Sequence, residues 1–343
     1  MLIEQQKSLL DYNTFHIDEY ARYFTTVQNE KELQLVLESE IAKEQELFIL
    51  GGGSNVLLTH EVNGLVIRNQ MKGIEIIYED DSIAKVKFQA GESWHHCVLW
   101  CVEQNLGGIE NLSFIPGTIG AAPIQNIGAY GAELKDVFVE LEAMHICLKQ
   151  RKVFMKNECN FGYRNSIFKT EAKGKYIILS VTLQLSKKPQ FNTSYGHIQD
   201  ELNSMGVTEL NLKAVSDAII RIRQSKLPDP AMIGNAGSFF KNPSVSESEF
   251  EILHKKYNDM PFFKNNEAVK IPAAWLIEHC HPDNALSWKG YRELNFGVHI
   301  KQALCLVNYS DANGRDILGL SERIITSVQQ AFNITLEREV NIW

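Results

Sequence analysis

The chain has 343 residues, too many for one small domain, and its 44% apolar content is ample for a substantial core. Lys plus Arg against Asp plus Glu gives 34 − 42 = −8, which excludes a broadly basic surface for nucleic acid or anionic membrane. A local pocket for a phosphorylated metabolite survives that exclusion. The opening MLIEQQKSLLDYNTF holds acids and no long apolar run, and no window reaches the roughly eighteen apolar residues of a membrane span, so the chain reads as soluble and intracellular.

In chain order, Asn29 with Glu32 three residues on predicts a helix start, and Leu33, Val36, Leu37 and Ile41 share its apolar face. Leu47–Leu50 predicts a buried strand running into Gly51-Gly52-Gly53-Ser54-Asn55, with Val56–Leu58 and Leu65–Ile67 as further strands. From Ile74 the pattern alternates as in β structure: Ile74–Ile76, Val86–Phe88, Val137–Leu141, Ile177–Leu179 and Val181–Leu185. A helix carrying Trp94, Val98, Leu99 and Val102 interrupts it and stops at Gly107-Gly108. A second helix holds Val215, Ala218, Ile219 and Ile222 and must end before Pro228, because the residue ahead of proline avoids helix. After the linker Lys226–Pro230 come short helices at Phe250–Leu253 and Ala273–His279 and a strand at Leu304–Val307. A long helix through Ile317, Leu320, Ile324, Val328 and Phe332 and a last strand at Leu336–Val340 complete the series.

The six cysteines, Cys97, Cys101, Cys147, Cys159, Cys280 and Cys305, are scattered without a CxxC, which suits reduced core thiols. His95-His96 beside Cys97 and Cys101, and His279-Cys280-His281, lack zinc spacings, and no metal is expected.

Four segments read as candidates for chemistry. Three successive glycines in GGGSN let backbone N–H groups converge on an anion, with Ser54 and Asn55 as side-chain donors. A strand rather than a helix follows and the Walker lysine is missing, so this is a pyrophosphate cradle outside the two common nucleotide folds. The run Ile115–Gly131, IPGTIGAAPIQNIGAYG, mixes small residues with isoleucines ill suited to a surface loop, and points to chain wrapped against a buried ligand. Arg164 in CNFGYRNSIF and Ser238 in NAGSFFKN are unremarkable alone, and Ser238 has no GxSxG context.

Taken together, GGGSN, IPGTIGAAPIQNIGAYG, FGYRNSIFK, KLPDP with NAGSFFKNP, Gln302 in KQAL and the terminal LEREV resemble the UDP-N-acetylenolpyruvoylglucosamine reductase family in order and spacing, from about Asn13 to Val340. TSYGHI around Tyr195 resembles the tyrosine loop of its type I branch. The resemblance implies an α+β chain with a vanillyl-alcohol-oxidase/PCMH-type FAD-binding fold in two parts and a C-terminal α/β substrate-binding domain. The implied bounds are 1–72, joined by the C-terminal strand 333–343, then 73–228 and 229–332.

It also implies FAD as cofactor, NADPH as co-substrate, UDP-N-acetylglucosamine enolpyruvate as substrate, and a cytoplasmic monomer. FAD would be held by Gly51, Gly52, Gly53, Ser54, Asn55, Ile115, Pro116, Gly117, Thr118, Gly120, Ala121, Gln125, Asn126 and Gly128. Tyr130, Tyr163, Tyr195, Lys226, Asn242 and Gln302 would hold the UDP-sugar. Hydride goes to C3 and a proton to C2 of an electron-rich enol ether, so its carboxylate must absorb negative charge. Arg164 would stabilise that charge, Ser238 would supply the proton, and Glu339, expected to carry a proton at that stage, would stand beside them. Glu337, two residues away, is the nearest mistaken choice. On residues alone, an oxidase of the same FAD fold and a silent flavin-binding or nucleotide-sugar-binding protein remain open.

Overall fold

The computed structural model describes residues 2–264, 268–282 and 286–343. The chain divides into two compact units. One comprises the chain up to Lys7, Ala21–Gly52 and Val62–Ser225; the other comprises Ser8–Tyr20, Gly53–Glu61 and Lys226–Trp343. This division differs from the three expected segments. The expected first and second parts do not separate, because Met144, Ile177 and Leu179 share a core cluster with Val27, Leu33, Val36, Leu65 and Ile67.

The first unit begins with a βαβ arrangement. Strands Tyr20–Val27 and Leu47–Leu50 both pair parallel to Val62–Asn69, and the Glu30–Glu38 helix lies between the outer two in sequence. Asn29 caps that helix by accepting the Glu32 N–H, and Ser39 ends it before Ile41, so the expected single helix is two. Beside it stands a five-stranded antiparallel sheet, in the order Arg151–Met155, Phe138–His145, Tyr176–Ser186, Ile83–Gln89, Ile74–Glu79. The two strands expected at 177–179 and 181–185 are one, interrupted by a register shift: Ser180 pairs with Glu142 but Ile178 with Ala143. Leu179 is the extra residue, and the alternation changes parity across it. Ile177 and Leu179 enter one core; Ile178, Val181, Leu183 and Leu185 enter the other.

The Trp94–Glu103 helix covers the second core with Trp94, Cys97, Val98 and Cys101, rather than with Leu99 and Val102 as expected. Burial pushes the Cys97 thiol up to about 12, and Cys159 likewise, as suits inert core sulfur. Cys147 is the exception to the expected core thiols: it is exposed. The helix Leu212–Lys226 ends two residues before Pro228, as the proline requires.

In the second unit the strands Gly234–Asn235, Leu306–Asn308, Phe296–Val298 and Arg292–Glu293 form an antiparallel sheet. The Gly314–Phe332 helix buries Ile317, Leu320, Ile324, Val328 and Phe332, the stripe its spacing predicts. The last strand is displaced from expectation. Regular pairing falls at Asn341–Ile342, parallel to Val56–Leu57, while 336–340 makes a single bridge at Arg338. Among the described residues no helix is long and apolar enough to cross a membrane, and no three His, Cys, Asp or Glu side chains group to hold a metal.

Candidate active site

In the first unit two glycine loops meet backbone to backbone. A Cβ on Gly52 would lie 3.0 Å from Gly117 Cα, and one on Gly51 would run into Thr118 Oγ1. The N–H groups of Gly51, Gly52, Gly117 and Thr118 have no backbone acceptor among the described residues. Glycine there keeps four amide donors together with no side chain over them, which fits a pyrophosphate. Gly53, Ser54 and Asn55, the rest of the GGGSN run, belong to the second unit.

The rest of the 115–131 run is anchored from beneath. Ile119 is buried, and Ile115, Ile124 and Ile127 pack against the core, which answers why isoleucines occur in a loop. Gly120 N–H donates to Ala90 O at 2.8 Å, and a Cβ there would lie 2.7 Å from Ala90 Cβ. Asn126 is wholly buried; Nδ2 donates to Gly162 O at 3.0 Å and Oδ1 accepts Lys135 N–H at 3.0 Å. Its side chain thus fastens the loop to the segment carrying Arg164. Gln125 Oε1 accepts from Lys169 Nζ at 3.4 Å.

Arg164 sits in a tight turn, where Gly162 N–H donates to Asn165 O at 3.0 Å. Its φ of +50° is left-handed, a conformation that costs a non-glycine residue energy and that clusters at functional positions. Arg164 Nη2 donates to Gly128 O at 2.8 Å, and the guanidinium lies 5.5 Å from the Tyr163 ring centroid. Tyr163 is 37% exposed and Tyr195 43%. Tyr130 is half-buried, and burial raises its hydroxyl pKa while the hydrogen-bonded Arg223 opposes the rise. Arg223 also donates from Nε to Phe114 O at 3.2 Å. Arg223 stands three residues before Lys226 on one helix, and the sequence alone gave no reason to single it out.

In the second unit, Ser238 and Glu339 come from segments a hundred residues apart that run together. Glu339 N–H donates to Phe239 O at 2.8 Å, and Lys241 N–H donates to Glu337 O at 2.9 Å. Gly237, at φ +68°, turns the chain into Ser238 and donates its N–H to the Oδ1 of buried Asn235 at 2.9 Å. Phe239 and Phe240, which follow Ser238, are buried in the core. The two glutamates separate cleanly: Glu337 is 74% exposed and pairs with Lys241 Nζ at 2.8 Å, whereas Glu339 is half-buried. Asn55 Nδ2 donates to Glu339 O at 3.3 Å, so the last residue of GGGSN steadies the segment bearing the acid.

Asn242 Oδ1 accepts the Ala273 N–H at 2.9 Å and Gln302 Oε1 accepts the Leu304 N–H at 3.2 Å, leaving each amide's NH2 as the group free to turn outward. Lys226 is exposed at the end of its helix. Ser238, Glu339, Asn242, Gln302 and Lys226 therefore belong to one unit, and Arg164, Tyr130, Tyr163 and Tyr195 to the other.

The profile of an FAD binding domain matches residues 21–145, and that of the UDP-N-acetylenolpyruvoylglucosamine reductase C-terminal domain matches 229–343. The chain is 49% identical to the UDP-N-acetylenolpyruvoylglucosamine reductase of Flavobacterium johnsoniae, with 100% of both chains covered. The chain belongs to the UDP-N-acetylenolpyruvoylglucosamine reductase family. It is 47% identical to the reductase of Amoebophilus asiaticus, over 100% of this chain and 99% of that one, and 42% identical to that of Pseudomonas putida, over 99% and 98%. The solved reductase of Thermus caldophilus superposes with a TM-score of 0.68 at 24% identity, covering 100% of this chain and 99% of the other, a likeness of fold. Membership makes this chain an FAD-dependent oxidoreductase of peptidoglycan precursor synthesis, with the PCMH-type FAD-binding fold.

Proposed function

We propose that the chain reduces UDP-N-acetylglucosamine enolpyruvate to UDP-N-acetylmuramate at the expense of NADPH, with Arg164, Ser238 and Glu339 serving the second half of the reaction. The observation that carries this reading is near-complete alignment at 49% identity with a reductase of that name, joined to a glycine cradle suited to a pyrophosphate. Gly51, Gly52, Gly117 and Thr118 would hold the FAD diphosphate by backbone amides. The chemistry supplied by bound FAD is a pair of hydride transfers, in from NADPH and out to C3 of the enol ether.

The chain's residues handle charge and proton. As C3 gains hydride, electron density moves through C2 into the substrate carboxylate. Arg164 would meet that charge with a planar, permanently charged group whose turn is already fixed, so no reorganisation is spent at the moment of reaction. Ser238 Oγ would give its proton to C2; serine is a weak acid, but a carbanion-like carbon is more basic than the alkoxide left behind. Glu339 would serve as a hydrogen-bonding partner at the same carboxylate. Lys226, Asn242, Gln302 and Tyr195 would bind the UDP-sugar, with Tyr130 and Tyr163 as further contacts. NADPH and a UDP-linked precursor are cytoplasmic metabolites, so we place the reaction in the cytoplasm, and we propose that the chain acts as a monomer.

The test is anaerobic. The purified protein should be yellow, bleach on NADPH, and recover its colour on adding UDP-N-acetylglucosamine enolpyruvate. Oxygen consumption with a sugar alcohol and no need of NADPH would instead mark an oxidase, and colour unmoved by NADPH a silent binding protein.

A further inference from the structure

The segment Glu110–Phe114, just ahead of the 115–131 loop, carries more polar contacts than a connector needs. Glu110 Oε2 accepts Gly108 N–H at 2.6 Å, and Ser113 Oγ lies 2.8 Å from Ser216 Oγ on the Leu212–Lys226 helix. Phe114 N–H donates to His95 Nδ1 at 3.0 Å, while Phe114 O accepts from Arg223. Asn111, 3% exposed, spends both amide hydrogens on two carbonyls, Tyr130 O and Asn192 O, each at 2.9 Å. Its Oδ1 is buried without a hydrogen-bond partner among the described residues. A buried carbonyl left unmatched is destabilising, so the two donated bonds are what Asn111 contributes.

Those bonds join two loops. Asn192 leads into Tyr195, and the loops touch again where a Cβ on Gly131, at φ +77°, would lie 3.0 Å from Asn192 Nδ2 and 3.4 Å from Tyr195 Cβ. Beyond them the Ile198–Ser204 and Leu212–Lys226 helices form a separate cluster against which Tyr130 and Phe191 pack.

We infer that Asn111 is a positioning residue for the sugar-nucleotide substrate: one buried amide fixes the loop bearing Tyr195 to the loop bearing Tyr130 and so sets substrate affinity. The inference rests on the reading that Tyr195 contacts the UDP-sugar. Asn111→Asp keeps the shape but turns the double donor into an oxygen facing two carbonyl oxygens. Gly131→Ala pushes on Asn192 and Tyr195 from the other side with Asn111 intact.

The experiment measures KM for UDP-N-acetylglucosamine enolpyruvate and the flavin reoxidation rate at saturating substrate in Asn111→Asp, Tyr195→Phe and the double variant. The loss of two hydrogen bonds predicts a KM raised roughly tenfold or more in Asn111→Asp with the saturated rate within about twofold. In the double variant the KM increase should fall short of the product of the single increases, because both act through Tyr195. A raised KM in Tyr195→Phe with none in Asn111→Asp, or fully multiplicative effects, overturns the inference and leaves the binding role of Tyr195 standing. An unchanged KM in Tyr195→Phe overturns that role and the inference with it. If Asn111→Asp does not fold, Gly131→Ala decides: a raised KM supports the coupling and an unchanged one refutes it.

Discussion

Gly128 gives access to Arg164 because it has no side chain. A Cβ there would lie 2.9 Å from Glu133 Cγ, 3.0 Å from Ala132 O and 3.2 Å from Arg164 Nη1, so Gly128→Ala crowds the guanidinium without altering its charge. If Arg164 meets the developing carboxylate charge, Gly128→Ala should slow reoxidation by substrate about tenfold or more and leave bleaching by NADPH near normal, since displacement forfeits preorganised stabilisation. Equal slowing of both halves would remove Arg164 from that role. The two terminal glutamates allow a matched comparison. Glu337 is exposed in a surface pair with Lys241, worth about 0–1 kcal/mol, so Glu337→Gln should reoxidise like the parent. Glu339→Gln should be slowed, and reversal of that order would move the role to Glu337. LEREV could not separate the two by pattern, because they share strand parity; the Lys241 pairing separates them.

At the scale of elements, the Glu30–Glu38 helix begins as its sequence predicts. The Asn29 side chain accepts the Glu32 N–H at 2.9 Å, so Asn29→Ala should cost about 1 kcal/mol, read as a lower urea midpoint with unchanged slope. Phe114 was not legible. It holds a left-handed φ of +61° and is gripped on both sides by His95 and Arg223, residues 19 and 109 positions away. His95 must be neutral to accept the Phe114 N–H. Burial, then the charges of Arg223 and His96, holds its pKa below the ordinary 6.5. The unfolded chain therefore binds this proton more readily, and stability rises with pH through the interval below about 6.5 and is fully present above it. Urea midpoints from pH 5 to 7.5 should climb less steeply in His95→Asn than in the parent; parallel profiles would contradict the neutral-acceptor assignment.

For the molecule as a whole, the long motifs were legible because their residue types are forced: three glycines where loops touch, isoleucines where a loop lies on a core, and Gly237 where the chain turns into Ser238. What the sequence left hidden came from contacts between distant positions. Leu179 reverses strand parity, and Met144 and Ile177 complete a core begun at Val27, so the two units part at the legible linker beginning at Lys226 but not at residue 72. The polar junction at 110–114 was hidden for the same reason, since its partners are spread from His95 to Arg223. In the proposed division of labour, Ser238 would take no part in accepting hydride from NADPH and would supply the proton that completes the product. Stopped-flow absorbance of the flavin in Ser238→Ala, with NADPH first and UDP-N-acetylglucosamine enolpyruvate second, tests it most directly. Bleaching should keep the parent rate and recovery should fall by about 10²–10⁴, the range of a lost general acid. Equal loss in both phases, or recovery at the parent rate, would contradict it.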